Sequence, residues 1–446
     1  MKKTLILLFL LVGTLVGRAG EQPKYIFYFI GDGMGHNALA LTEACLASDE
    51  GDDVAFGSLR FTRFPAVGFA TTWCATRRMT DSAAAGTALA SDQKTSVGTI
   101  GMNTDHTEPI HSIAVAAKEH GMRSGVATSV SIDHATPASF FGHQPNRGMY
   151  HEIGMDAATE GLDLYAGSGF LKPEAPADAA DRRSVYDALS EAGYSICRGD
   201  VKLKGKRVVL VQDTTADASK LPLAIDRQPG DLTLPAITRR SIDFLMRDGG
   251  SKNGFFLMVE GGQIDWAAHD NDAASLVQEV LDFDEAIDVA VKFYQKHPTE
   301  TLIVITADHE TGGLALGRGN LGYDTYFGLL AAQRCSKGAL RTAIEKTTDW
   351  TAARTLLNEQ MGFGGQIELK PEEWTRLEKV YAERPSRTAD LAVEILAHHT
   401  GTGWTTGSHT ATYVPVFAIG ASSELFNGRQ DNTEIAAKLR RLIEKR

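Results

Sequence analysis

The sequence predicts an α/β fold, a doubly wound, mainly parallel central sheet flanked by helices and interrupted once by a helical insertion. Three observations carry that expectation. Short apolar runs recur along the chain, and most of them end in a polar cluster. Helical stretches separate the runs, and the alternation breaks down over about residues 317–402. A parallel sheet covered by helices buries both faces of its strands, so they read as continuous apolar runs and do not alternate.

Taken in order, Tyr25 to Ile30 leads into Gly31-Asp32-Gly33-Met34-Gly35, and Ser124 to Val130 leads into Asp133-His134-Ala135-Thr136-Pro137. Phe255 to Val259 leads into Glu260-Gly261-Gly262, and Leu302 to Thr306 into Asp308-His309-Glu310. A fifth run, Val414 to Ile419, is preceded by its polar cluster, which contains His409. Helical patterns cover Asp81 to Ala90, Ile110 to His120, Ser184 to Ala192, Pro235 to Met246 and Ala273 to Phe293. Strands alternating with helices imply crossover units and a parallel sheet, with ligands gathered beyond the carboxyl ends of the strands. The stretch 317–402 reads instead as four helices, Lys337 to Lys346, Trp350 to Met361, Pro371 to Tyr381 and Thr388 to His399. It is expected as an insertion within a single domain spanning residues 20–446, with Trp350, Trp374 and Trp404 packing its helices.

Composition narrows the function. The chain has 446 residues, 43% hydrophobic and 23% charged, and a formal net charge of −11. That acidity argues against a nucleic-acid or anionic-membrane partner, whose phosphates would repel it. An anionic substrate would need a locally positive site, and bound metal ions are a direct way to make one. Lys2 and Lys3 precede the apolar run Leu5 to Val16, and Gly17-Arg18-Ala19 supplies small residues at a cleavage position. This is the pattern of a signal peptide over residues 1–19, too short in its apolar part to span a bilayer. The expected protein is exported, periplasmic or secreted, without a stable membrane anchor. Cys45, Cys74, Cys197 and Cys335 form no CxxC motif, and their three alternative pairings stay open.

Asp265 and His269 are four apart in a helical stretch and so project from one face, a spacing that suits two ligands of one metal. Asp308-His309 ends an apolar run, and Asp with His makes a good zinc set. Asp32, Thr136 and Glu260 offer the oxygens that magnesium prefers. Each of these residues alone is equally well explained as a turn, a cap or a solvated side chain. Ser82 opens the helix-forming run Ala83-Ala84-Ala85, where it reads as an N-cap. A helix N-terminus also attracts anions through its unpaired N–H groups. No GxSxG elbow surrounds Ser82, so a metal is a better activator for it than a Ser-His-Asp arrangement. The GDGMG run lacks both the spacing of GxGxxG and the lysine of a phosphate-binding loop.

Six segments together are specific. GDGMG (31–35), TDSAAAGTALA (80–90), DHATPA (133–138), VEGGQIDWAAH (259–269), TADHE (306–310) and GSHTAT (407–412) resemble, in chain order, the alkaline phosphatase family. The resemblance extends over about residues 24–420 and implies an alkaline-phosphatase-like fold and hydrolysis of phosphate monoesters. It implies that Ser82 is the nucleophile and becomes phosphoserine. Asp265, His269 and His409 would hold one zinc, and Asp32, Asp308 and His309 a second. Asp32 would also reach a magnesium ion completed by Thr136 and Glu260, and Arg147 would bind the phosphate. A homodimer is the family's usual assembly. Superfamily relatives act on diesters or sulfate esters, but Thr136, Glu260 and Arg147 favour monoesters.

Two positions depart from the best-known bacterial pattern. His134 stands where some members carry Asp, and Trp266 where some carry Lys or His. Both are expected beside the metal ligands. Imidazole near the third site favours zinc, so magnesium there is expected to be replaceable by zinc.

Overall fold

The computed structural model describes residues 22–177, 181–213 and 217–446. Residues 1–19, expected as a signal peptide, lie outside the described residues. The strands in chain order begin with β1 (Tyr25–Gly31), β2 (Ala66–Thr71), β3 (Arg123–Thr128), β4 (Leu164–Ala166) and β5 (Tyr194–Arg198). They continue with β6 (Arg207–Val211), β7 (Phe255–Gly261), β8 (Thr301–Thr306), β9 (Glu310–Thr311) and β10 (Ala315–Leu316). The last are β11 (Thr402–Gly403), β12 (His409–Thr410), β13 (Val414–Gly420) and β14 (Gly428–Asp431).

Ten of these form one sheet in the order β14-β2-β13-β8-β1-β7-β3-β4-β6-β5. Neighbours run parallel except at β13, which is antiparallel to both β8 and β2. The middle of the sheet is set by Tyr25 paired with Phe255 on one side and Thr301 on the other. β1 and β7 are buried along their whole length, as their unbroken apolar composition demands. Tyr25, Phe27, Phe255 and Phe293 pack edge-on or tilted at centroid separations of 4.9–5.6 Å, joining the sheet to the helix Ala273–Tyr294.

The reversed direction of β13 explains why its polar cluster comes before it in sequence. An antiparallel strand brings its N-terminal end to the edge where the parallel strands have their C-terminal ends. The segment carrying His409 therefore reaches the same edge as Asp32, Glu260 and Asp308.

Between 317 and 402 the structure holds the helices Lys337–Ile344, Trp350–Met361, Pro371–Glu383 and Thr388–Thr400. Entry and exit pair as β10 and β11. Trp350 meets Trp374 at 6.3 Å and Tyr381 at 5.7 Å, so these rings pack the helices together. The four cysteines are free thiols. Among the described residues no helix is long and apolar enough to cross a membrane.

Candidate active site

The helix Ser82–Ser91 begins differently from expectation. Asp81, not Ser82, is the N-cap and accepts from the Ala84 N–H (3.1 Å). Ser82 is the first helical residue, and its hydroxyl is released from capping. Its Oγ lies 3.1 Å from His309 Nε2.

Three groups of metal-ligating side chains converge around it. Asp265, His269 and His409 form the first, Asp32, Asp308 and His309 the second, and Asp32, His134 and Glu260 the third. Within each, the ligand atoms lie within 4.8 Å of one another. Every ligand expected from the sequence is thus brought to one place, Thr136 included, whose hydroxyl faces Glu260. His134, expected only beside the third group, offers a ligand atom to it.

The imidazoles are oriented from behind. His269 Nδ1 lies 2.7 Å from the Gly407 carbonyl, and His409 Nδ1 lies 2.8 Å from the Thr80 carbonyl. A carbonyl only accepts, so both rings carry a proton on Nδ1 and turn Nε2 toward the site, where it is free to ligate once it is deprotonated. The Thr311 hydroxyl donates to Asp265 Oδ1 (2.5 Å), which leaves its oxygen to accept from His309 Nδ1 (3.2 Å). One threonine thereby ties the first group to the second. Gly33 has φ +69°, and a Cβ there would come within 2.8 Å of Asp265 Oδ1. This close approach requires glycine, and the Gly33 N–H donates to Asp308 Oδ1 (3.1 Å).

The donor set fits divalent cations. Asp32, Glu260 and Asp308 are completely buried, and both oxygens of Asp32, Oδ2 of Asp308 and Oε1 of Glu260 accept no hydrogen bond. Burying several carboxylates without partners costs several kcal/mol each, which cations offset. Without them, burial pushes Asp308 up to about 7 and Glu260 up to about 8, and Asp32 well above the usual carboxylate range. Burial also raises Asp265, but contacts from His269, His309 and His409 outweigh it and hold the carboxyl low. Without metal, His269 donates its Nε2–H to the Asp265 carboxylate (3.2 Å), which raises the ring to about 9. Burial, with Arg147 nearby, lowers His134 to about 3, so this ring is neutral.

Arg147 reaches the same cleft. Its Nη1 pairs with Asp81 Oδ2 at 3.2 Å, and its Nη2 lies 3.4 Å from His134 Nε2. Trp266 meets the His134 ring at 5.9 Å, and Lys220 Nζ stands 5.2 Å above the Trp266 ring. Sequence reasoning singled out neither Asp81 nor Thr311. An Asp before Ser-Ala-Ala-Ala is a visible capping signal, whereas Thr311 lies beyond the motif that marks Asp308 and His309.

A nucleophile-sized hydroxyl, three ligand groups and an arginine at a helix N-terminus suit phosphoryl transfer. The family model described as alkaline phosphatase matches residues 23–167 and 215–444. Alkaline phosphatase 3 of Bacillus subtilis is 34% identical over 427 residues, covering 93% of this chain and 88% of its own. The solved cold-active alkaline phosphatase from a psychrophilic Shewanella species is 33% identical with a TM-score of 0.79. That match covers 94% of this chain and 99% of the other. A histidine-to-glutamate mutant of the TAB5 alkaline phosphatase, with Mg bound in its M3 site, has a TM-score of 0.66 at 28% identity. It covers 95% of this chain and 99% of its own. Motifs, fold and site geometry agree with these matches: the chain belongs to the alkaline phosphatase family and is a phosphatase.

Proposed function

We propose that this enzyme hydrolyses phosphate monoesters at alkaline pH through a covalent phosphoserine on Ser82, assisted by two zinc ions and one magnesium ion. The observation that carries the reading is the 3.1 Å approach of Ser82 Oγ to His309 Nε2, which places the hydroxyl against the second ligand group. Asp265, His269 and His409 would hold one zinc, and Asp32, Asp308 and His309 the other. Asp32, Thr136 and Glu260 would hold magnesium, with His134 beside them. Zinc supplies a depressed pKa to bound hydroxyl or water and positive charge against phosphoryl oxygens.

Ser82 Oγ gives up its proton to solvent and forms a bond to phosphorus while the bond to the leaving oxygen breaks, and the departing oxygen takes a proton from solvent to leave as the alcohol. Arg147 forks across two phosphoryl oxygens, a geometry lysine lacks. Asp81 keeps that guanidinium aimed at the helix N-terminus, whose unpaired N–H groups also favour the anion. Water then attacks phosphorus, the bond to Ser82 Oγ breaks, Oγ regains a proton and inorganic phosphate leaves. The buried positions of Asp32, Glu260 and Asp308 exclude bulk water from the ligands.

The same reading makes the protein an exported, periplasmic or secreted homodimer cleaved after Ala19, which N-terminal sequencing and sedimentation would check. The decisive test is Ser82→Ala. It is expected to abolish hydrolysis of a nitrophenyl monoester and labelling by phosphate while metal content stays at two zinc and one magnesium; unchanged turnover would overturn the mechanism. Faster cleavage of the nitrophenyl methyl diester than of the monoester would overturn the substrate class.

A further inference from the structure

The turn that follows His269 is bound from outside the sheet. The helix Gln263–His269 ends with Asp270 as its C-cap, and the chain then crosses Asn271 at φ +52° to Asp272. Asp272 is buried and caps the next helix, accepting from the Ser275 N–H (3.2 Å) and the Ser275 hydroxyl (2.7 Å). Its two carboxylate oxygens also accept from Gln333 Nε2 and from the Lys337 backbone N–H, both at 2.8 Å. Lys337 Nζ donates to the Asp270 carbonyl at 2.7 Å and pairs with the Asp270 carboxylate at 2.8 Å. The lysine is buried itself, with Asp390 as a further partner at 3.7 Å.

The carbonyl behind the His269 ring is tied to the same turn. With its amide turned so that nitrogen faces the acceptors, Asn271 donates to the Ala268 and Thr406 carbonyls, each at 3.0 Å. Thr406 precedes Gly407, the carbonyl that orients His269. That strand is reached from β11, the exit of the helical segment, and Trp404 packs over Gly312, where a Cβ would meet its ring at 2.6 Å. His269 is therefore held both at its helix end and at its ring through residues fastened to the segment 317–402 or to the stretch that leads out of it.

We propose that Gln333 and Lys337 are positioning residues for the metal held by Asp265, His269 and His409, and that they set how long that metal is retained. Neither touches a ligand atom. They act through the Asp270–Asp272 turn, which fixes where the last helical residue, His269, points. Side chains that orient ligands in this way typically change metal affinity by about ten- to a hundredfold. The inference rests on the two-zinc reading above.

The full-length enzyme, loaded with zinc and magnesium, is first assayed for metal content. A wild-type protein that holds fewer than two zinc ions would refute the two-zinc reading itself, before any variant is made. Release of zinc to a chromophoric chelator is then followed in Lys337→Met, Lys337→Arg and Gln333→Met, alongside the melting temperature of each metal-free protein. In Lys337→Met, one of the two zinc equivalents is expected to leave about tenfold faster and the other at its wild-type rate. Lys337→Arg should largely restore retention, and Gln333→Met should accelerate the same equivalent. Gln333→Met decides the matter if Lys337→Met does not fold. Unchanged release, or equal acceleration of both zincs together with a lower metal-free melting temperature, would overturn the proposal.

Discussion

Arg147 Nη1 lies 3.2 Å from Asp81 Oδ2, and the same carboxylate caps the helix that Ser82 begins. The residue that caps the helix of the proposed nucleophile is also the tether of the arginine proposed to bind phosphate. Asn caps helices about as well as Asp, so Asp81→Asn separates the two duties. It should leave the fold intact and free the guanidinium. The inhibition constant of inorganic phosphate is expected to rise about two- to tenfold, the cost of reordering one long side chain on binding. An unchanged constant in steady-state inhibition assays would mean that the tether is idle.

His134 shares its ligand group with Asp32 and Glu260. Imidazole favours zinc and carboxylate favours magnesium. Under zinc excess the wild type should take up a third zinc, and His134→Asp should take up magnesium there instead. Metal analysis of both proteins checks this. Full magnesium occupancy in the wild type, with no third zinc, would remove the argument.

Chelation should make stability depend on pH with a definite sign. In the metal-free protein Asp308 is raised to about 7 and Glu260 to about 8, above the ordinary carboxylate values near 4. A raised carboxyl contributes stability that is present below its unfolded pKa and is lost as pH climbs through the folded value. The melting temperature of the chelated protein should therefore fall between about pH 4 and about pH 8. Restoring zinc and magnesium should raise it most at the alkaline end. A flat profile without metals would contradict the burial of these groups.

Glu279 tests the same linkage away from the metals. It is buried, accepts from the Ala224 N–H at 2.6 Å, and is pushed up to about 8 by burial and the Asp282 charge. Glu279→Gln keeps the acceptor and removes the charge. At pH 9 the variant should be more stable than the wild type by about 1–3 kcal/mol, and at pH 5 about equal, by denaturant unfolding of the metal-loaded proteins.

The central strands were legible because burial on both faces leaves no alternation to misread, as in Phe255–Val259 of β7. The helices named from the sequence lie within a few residues of their observed bounds for the most part, but His36–Asp49, Tyr150–Glu160 and Asn432–Glu444 are not among them. β2, with its alternating exposure, three-residue β4, half-buried β5 and polar β14 are strands through pairing with a neighbour more than through composition, while apolar β6 is a run the sequence reading passes over. Within the site, the ligands carried strong motifs. The devices that orient them did not: the Gly407 and Thr80 carbonyls have no side-chain signature, and Thr311 earns its role only through a tertiary approach to Asp265. His134 is expected beside the third group, and its ring nitrogen lies within ligand reach of Asp32 and Glu260, a nearness that chain order alone does not reveal.

The direction of β13 has a kinetic side. His409 arrives just before this strand, after every other ligand, and β13 inserts between β8 and β2 in the body of the sheet. No shorter fragment of the chain can close the first ligand group, and the sheet cannot close without β13. Closing this ligand group thus requires a pairing of long sequence separation, and a metal ion bound there is expected to slow unfolding.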